Sequence, residues 1–312
     1  MEFFKPNTKI NFMGLRKWCA IFSLVLFIGS VGSLIVNGLN FGLDFTGGTQ
    51  IVASFNQNVD INQVQKELNQ AGLTKSSVQS YGNSRQVMIS LAGKATGNDE
   101  NQALLQQSMA QKVKAAVPGS SIESVNFIGA VVSSQLAYKG VLAVIVALLG
   151  TMIYIAFRFE YRLAVSAAVA MIHDPILILG LFSLFHIEFD LNALAAVLTV
   201  IGYSLNDTIV VFDRVRENFR RIRKATPTEV MNVSINQTLS RTVMTSGLTL
   251  LMVIALFLFG GAVIHGFALA LIIGIIIGTY SSIYVAGSLA VSLGLNRADL
   301  LPSAKREIED AP

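Results

Sequence analysis

The chain is 312 residues long, 53% hydrophobic and only 13% charged, with a mean hydropathy of +0.59. An ordinary soluble domain carries roughly 25% charged residues; here charge is scarce and the apolar residues gather into long runs, which excludes a soluble globular class and points to a membrane protein. The net charge of +4 does not indicate nucleic acid as a partner, because the Lys and Arg residues stand beside the apolar runs, where they act as topology signals.

Lys5, Lys9, Arg16 and Lys17 precede the first apolar run, residues 18–36. That run exceeds the about 7–15 residues of a signal-peptide core. It leads into Asn37-Gly38-Leu39-Asn40 instead of a small-residue cleavage site, so it reads as a retained first span. Cys19, the single cysteine, lies within it as a small packing or lipid-facing residue, and one thiol forms no intrachain disulfide. Residues 37–138 are polar and read as an outer domain. Apolar runs follow at 139–157, 163–185, 191–212, 242–259 and 266–293. The basic 1–17 segment is expected in the cytoplasm and 37–138 on the other side of the membrane. The Arg158-Phe159-Glu160-Tyr161-Arg162 turn then falls inside. The 186–190 and 260–265 connections lack Lys and Arg and fall outside. The basic loop 213–241, with Arg214, Arg216, Arg220, Arg221, Arg223, Lys224 and Arg241, falls inside, as does the 294–312 tail with Arg297, Lys305 and Arg306. Both termini are expected in the cytoplasm, and the basic loop reads first as a topology signal against anionic lipid headgroups.

Within the outer domain, Thr49–Phe55 predicts a strand with Ile51, Ala53 and Phe55 on one face and Val52 and Ser54 on the other. Residues 60–71 predict a helix carrying Ile61, Val64 and Leu68, with Asp60 as cap and Gln63 three residues on. Residues 77–81 and 85–91 flank Gly82-Asn83-Ser84, a hairpin signal. Residues 99–117 place Leu105, Met109, Val113 and Ala116 on one helical face before Pro118-Gly119, and 121–127 read as a last strand. The order β-α-β-β-α-β suggests a ferredoxin-like sheet with both helices on one face. No metal or nucleophile cluster occurs there, which favours binding or mechanical coupling over catalysis.

Ionisable groups inside the apolar runs carry the chemistry, since an Asp at a helix centre costs about 2.5–3.5 kcal/mol on insertion scales. The third run holds His173-Asp174-Pro175. Pro175 cannot donate to the Met171 carbonyl, so a kink and a freed acceptor are expected. His173 and Asp174 either satisfy that defect, bond a neighbouring helix, or take part in proton or conformational coupling. In the fourth run Val200, Tyr203, Ser204, Asp207 and Val211 share a helical face, with Asn206 one step round. Asp213, at the boundary, reads as interfacial. Arg241 opens the fifth run just before Thr242, Thr245 and Ser246, and can reach the depth of Asp207 if the two helices pack together. The alternative is that Arg241 snorkels to the headgroups and Asp207 pairs elsewhere. An Asp207–Arg241 pair makes a proton switch: separating the charges lets Asp207 take up a proton, and their reapproach expels it. A proton crossing the membrane yields about 2.3 kcal/mol per 100 mV of potential. Gly260, Gly261, Gly266, Gly274, Gly278 and Gly287 read as close-packing positions, and Gly274 with Gly278 forms G-x-x-x-G. There is no H-E-x-x-H, P-loop or G-x-S-x-G pattern, so no enzyme activity, cofactor or metal is expected.

Asn40-Phe41-Gly42-Leu43-Asp44-Phe45-Thr46-Gly47-Gly48-Thr49 resembles the signature of the SecD/SecF family. Arg158 to Arg162 through His173-Asp174, Gly202-Tyr203-Ser204-Leu205-Asn206-Asp207-Thr208 through Arg216-Glu217-Asn218, and the Asn236–Arg241 and Thr245-Ser246-Gly247 segments resemble its SecF blocks in particular. The resemblance covers nearly the whole chain. It implies a membrane α-helical bundle of six transmembrane helices, half of an assembly related to RND exporters, with a small α+β ferredoxin-like periplasmic domain, in the bacterial cytoplasmic membrane. It implies SecD, the SecYEG channel, YajC and a translocating polypeptide as partners, and use of the proton gradient to pull that polypeptide outward. The family's membrane Asp and Arg positions fall on Asp207 and Arg241, and Asn206, His173 and Asp174 join them as candidate proton-coupling residues. Asp44, Phe45, Thr46, Gly47 and Gly48 are either a helix-to-sheet turn in which glycines permit positive φ, or a hinge that transmits membrane motion. Competing readings are a structural scaffold of the translocon and an RND-type small-molecule exporter. Against the exporter stand a single outer domain and only six helices.

Overall fold

The computed structural model describes residues 9–74, 76–81, 83–92, 99–222 and 224–296. Lys5, Gly82, Arg223, Arg297, Lys305 and Arg306 lie outside the described residues, as do the side chains of Asn83 and Leu105. The elements run in chain order as α1 (Arg16–Val36), β1 (Asn40–Phe41), α2 (Leu43–Thr46), β2 (Gly48–Phe55), α3 (Ile61–Gln70), β3 (Ser76–Tyr81) and β4 (Asn83–Ala92). They continue as α4 (Asp99–Ala116), β5 (Ser120–Ile128), α5 (Ala130–Arg158), α6 (Tyr161–Leu184), β6 (Glu188–Phe189), α7 (Leu191–Arg221), α8 (Pro227–Phe259) and α9 (Ala262–Ser281). A π-turn, Ser282–Ala286, then leads into α10 (Gly287–Ser292).

Among the described residues, 6 helical segments are long and apolar enough to cross a membrane: Phe12–Val36, Ala130–Arg158, Tyr161–Leu184, Leu191–Arg221, Pro227–Phe259 and Val263–Ser292. α6 and α7 form the centre of the bundle, with α1, α5, α8 and α9 around them. α1 and α5 turn Trp18, Ile21, Phe22, Leu142, Val146 and Ile153 outward, the surface that hydrocarbon solvates. One apolar cluster, with Phe182, Val197, Val200 and Leu271, lies towards the start of α7, and another, with Phe159, Phe212, Met231 and Ile235, towards its end.

The helices overrun the apolar segments that reveal them. α5 begins at Ala130, ahead of Lys139, because its first turns leave the hydrocarbon and need no apolar surface. The stretch 213–241, expected as a loop, is mostly helix: α7 continues to Arg221 and α8 starts at Pro227. A capping box holds that start, with the Thr226 hydroxyl taking the Glu229 amide and the Glu229 carboxylate taking the Thr226 amide, and Pro227 fills the first helical position.

Between α1 and α5, strands β2 to β5 form one antiparallel sheet in the order β3-β4-β2-β5. The alternation of β2 turns Ile51 and Ala53 inward, where they pack with Ile89 of β4, Val64 and Leu68 of α3, and Val113 of α4. Phe55, at the strand's end, is only half-buried. Val52 is also buried, on the opposite face, which looks towards the bundle. Asp60 caps α3 through the Asn62 amide; Gln63 does not close a capping box, because its side chain bonds Glu67 one turn on. A separate parallel bridge pairs β1 with β6, Asn40 with Glu188 and Phe41 with Phe189, joining the chain after α1 to the connection before α7.

Gly47 ends α2 at φ 72° and ψ 158°, a region open to glycine and to almost nothing else. A Cβ there would lie 3.1 Å from Ser133 Oγ and 3.2 Å from the Ile128 carbonyl. Gly47→Ala is expected to destabilise the chain by about 2 kcal/mol, seen as a lower thermal midpoint in detergent. Gly29→Ala, in the open on α1, is expected to leave the midpoint unchanged.

Candidate functional site

Close approach of α9 to α7 builds the site. A Cβ on Gly274 would overlap Val200 Cγ2 and lie 2.8 Å from its Cγ1, and one on Gly278 would lie 3.0 Å from Ser204 Cβ. The G-x-x-x-G pattern is therefore the groove into which α7 packs. This approach carries Thr279 and Ser281 to the level of two buried carboxylates.

The first is Asp174 of α6, with no exposed surface. Its Oδ2 accepts hydrogen bonds from Ser204 of α7 and from Ser281 of α9, the latter at 2.7 Å. Its Oδ1 lies 2.9 Å from His173 Nδ1, and His173 Nε2 lies 2.6 Å from Ser23 Oγ of α1. A carboxylate oxygen accepts, so Nδ1 donates to Asp174, and in the neutral imidazole Nε2 accepts from Ser23. Phe27 stacks on the imidazole, with ring centroids 6.1 Å apart and planes at 7°. α6 runs on through Pro175, and the polar side chains beside it bond neighbouring helices instead of the Met171 carbonyl. The cluster joins α1, α6, α7 and α9.

The second is Asp207 of α7, 4% exposed, one turn beyond Ser204. Ser246 of α8 donates to its Oδ2 at 3.3 Å, and the Thr279 hydroxyl of α9 lies 2.9 Å from Ser246 Oγ. Arg241 stands exposed on α8, close enough to act on Asp207 through space, yet no cation among the described residues lies within ion-pair distance of that carboxylate. The pair foreseen from the sequence is thus approached without being closed. Asn206 points away from both clusters; it is exposed on the outside of the bundle and makes no hydrogen bond among the described residues. Tyr203 and Thr242 bring buried hydroxyls without a protein partner one turn from Asp207 and Ser246.

At the end of α7, Arg158 grips Asp213 with both contacts at 2.7 Å, and Arg216 approaches the same carboxylate at 3.8 Å. Asp213 keeps 40% of its side chain exposed, as suits an interfacial residue. Asn218 donates to Ser234 and Gln237, joining α7 to α8.

At the start of α7, Asp44 of α2 accepts the Leu191 amide at 3.0 Å, and Asp190 accepts the Ala193 amide at 2.7 Å. Both occupy the positive end of the helix dipole. Phe45 stacks on Phe189 with centroids 6.0 Å apart, Thr46 bonds the Gly42 carbonyl, and Gly47 and Gly48 turn the chain into β2. The signature therefore rests on the helix that carries Ser204 and Asp207. Sequence reasoning missed Ser23, Thr279 and Ser281; the signal available was a hydroxyl inside an apolar run. Among the described residues no group of three or more His, Cys, Asp or Glu side chains is placed to hold a metal ion.

Residues 108–296 match the family model described as "Protein export membrane protein SecD/SecF, C-terminal", and residues 32–59 match the "SecD/SecF GG Motif". The chain is 45% identical over 303 residues to the protein translocase subunit SecF of Vibrio alginolyticus, covering 96% of this chain and 95% of that one. Against the SecF of Escherichia coli O157:H7 it is 43% identical, covering 97% and 94%. Its fold is similar to the crystal structure of SecDF, a translocon-associated membrane protein from Thermus thermophilus, with a TM-score of 0.80 and 35% identity over 93% of this chain. The chain spans 39% of that SecDF chain. A second SecDF structure, in a super-membrane-facing form, matches with a TM-score of 0.68 and 36% identity over 92% of this chain and 39% of that one. A multi-pass membrane protein of this sequence and fold belongs to the SecD/SecF family of protein-export membrane proteins, on its SecF side.

Proposed function

We propose that this subunit pairs with a SecD subunit and uses the proton gradient to draw a translocating polypeptide outward at the SecYEG channel, with YajC as an associated component. The observation that carries the reading is Asp207, a carboxylate 4% exposed in a membrane helix and in electrostatic reach of Arg241 without touching it. A group so placed changes its preferred neighbour when it gains or loses a proton, and its helix also carries Ser204, bonded to Asp174. His173 and Asp174 then pass a shift of α7 on to α1, α6 and α9. Asn206 and Arg241, both exposed, lie where a companion subunit would cover the bundle. Asp44 to Gly48 act as the hinge that carries motion to the outer domain.

The same reading puts residues 37–138 in the periplasm and both termini in the cytoplasm, with the bundle as half of an RND-like assembly that performs no covalent chemistry. The strand order β3-β4-β2-β5, with α3 and α4 over one face, supports a ferredoxin-like outer domain.

The test is export of a secretory protein into inverted membrane vesicles containing the whole translocon, with and without a proton gradient. Asp207→Asn keeps the shape and cannot release a proton. It is expected to abolish the gradient-dependent part of export and to leave the ATP-driven part. Full stimulation by the gradient in that variant would refute the motor and leave a scaffold.

A further inference from the structure

A cavity of about 1010 Å³ separates the open face of the outer sheet from the outer ends of the membrane helices. Gln50, Val52 and Met88 line it from the sheet, and His265 from α9. Three attachments close it along one side. β1 pairs with β6, Asp44 accepts the Leu191 amide, and Gln79 of β3 donates to Glu188 Oε2. These attachments bring the carboxylates of Asp44, Glu188 and Asp190 together, and among the described residues no Lys or Arg lines the cavity to balance them. The other titratable groups lining it are His186, His265 and Tyr81, and the His265 ring packs against Phe257 with centroids 4.1 Å apart.

Like charges converging in a half-buried place oppose one another's ionisation. We propose that Glu188 and Asp190, gathered beside Asp44, form an acid-closed latch, which holds the outer domain against the start of α7 when the surrounding solution is acidic and lets it go as the solution turns neutral. Burial first, and then the neighbouring charge of Asp190, push the Glu188 carboxyl up from its ordinary 4.5; the Gln79 bond opposes this. Burial likewise pushes Asp190 up from 3.8, with the Ala193 amide opposing it and Asp44 adding to it. A raised carboxyl holds its proton more tightly docked than free. Docking is therefore fully favoured below the ordinary carboxylate range and weakens as pH climbs through the raised values. The Gln79 bond survives protonation, because its acceptor is a carboxyl oxygen in either state. The biological sense of the latch rests on the orientation proposed above, in which this end faces the proton-rich side; the pH response itself does not.

The test uses the full chain in lipid nanodiscs, in a Cys19→Ser background, with spin labels on cysteines replacing the exposed Ser121 of β5 and Phe259 of α8. Dipolar distance distributions are recorded at about pH 5 and about pH 8, on either side of the expected transition. A narrow distribution at the lower pH that broadens to longer distances at the higher one is expected. The isosteric pair Glu188→Gln and Asp190→Asn, which keeps the α7 cap, is expected to stay narrow at both. Gln79→Ala is expected to be broad at both, with secondary structure unchanged by circular dichroism. A wild-type distribution independent of pH, or continued broadening in the Glu188→Gln/Asp190→Asn chain, would overturn the latch. Neither result touches the export assay of Asp207→Asn, so the two proposals fail separately.

Discussion

Asp174→Ala is expected to destabilise the bundle by about 2–5 kcal/mol. Alanine strands two donors, the hydroxyl of Ser204 and the ring nitrogen of His173, and leaves the Ser281 hydroxyl only the Gly278 carbonyl at 3.2 Å. None has water to turn to, since Asp174 has no exposed surface and Ser281 has none either. Ser23 is affected next, because its partner is the far side of the same imidazole. Asp174→Asn retains one acceptor oxygen in the same shape, and its cost is expected to be about 1 kcal/mol. Thermal unfolding in detergent, followed by loss of helical signal, separates the two. Equal midpoints for the Ala and Asn variants would mean that hydrogen bonding at Asp174 does not hold the helices together.

Gly274→Ala is expected to cost about 3 kcal/mol, at the upper end of overpacking penalties. The added methyl collides with both Cγ atoms of Val200, and neither α7 nor α9 can withdraw without opening the Gly278–Ser204 contact one turn along. The obstructing atoms are side-chain atoms, so the loss is reversible by design. Val200→Ala removes both Cγ groups, and the double variant is expected to recover most of the lost midpoint. Additive losses in the double variant would show that the collision is not the cause.

The bilayer's demands were legible, and contacts between helices were not. Apolar runs marked the spans because hydrocarbon tolerates little else. The same criterion is blind where a helix leaves the membrane, which is why α7 beyond Phe212 and α8 before Thr242 read as a loop. Thr226 and Glu229 carried the capping signal at the right spacing, but it is local and weak beside so basic a neighbourhood. Burial of Asp207 followed from its helical face. The choice of Ser246 over Arg241 as its contact depends on the rotation of α8 about its own axis, which no periodicity fixes. Asn206, one position from Asp207, lands outside the bundle for the related reason that each residue turns about 100° from the last. Ser23 and Ser281 reach His173 and Asp174 from distant parts of the chain, so no spacing pointed to them. Between Gly48 and Ile128, where turn chemistry and alternation act locally, strands and helices were read within a residue or two.

The unbroken course of α7 has a mechanical consequence. As one stiff rod of 31 residues it is about 46 Å long, well beyond the hydrocarbon thickness of about 30 Å. Tilted about its middle, such a lever swings each tip by about 0.4 Å per degree, in opposite directions, by its geometry alone. A few degrees at the depth of Asp207 suffice to part Leu191 from Asp44 at one tip and to strain the Asn218 contacts at the other.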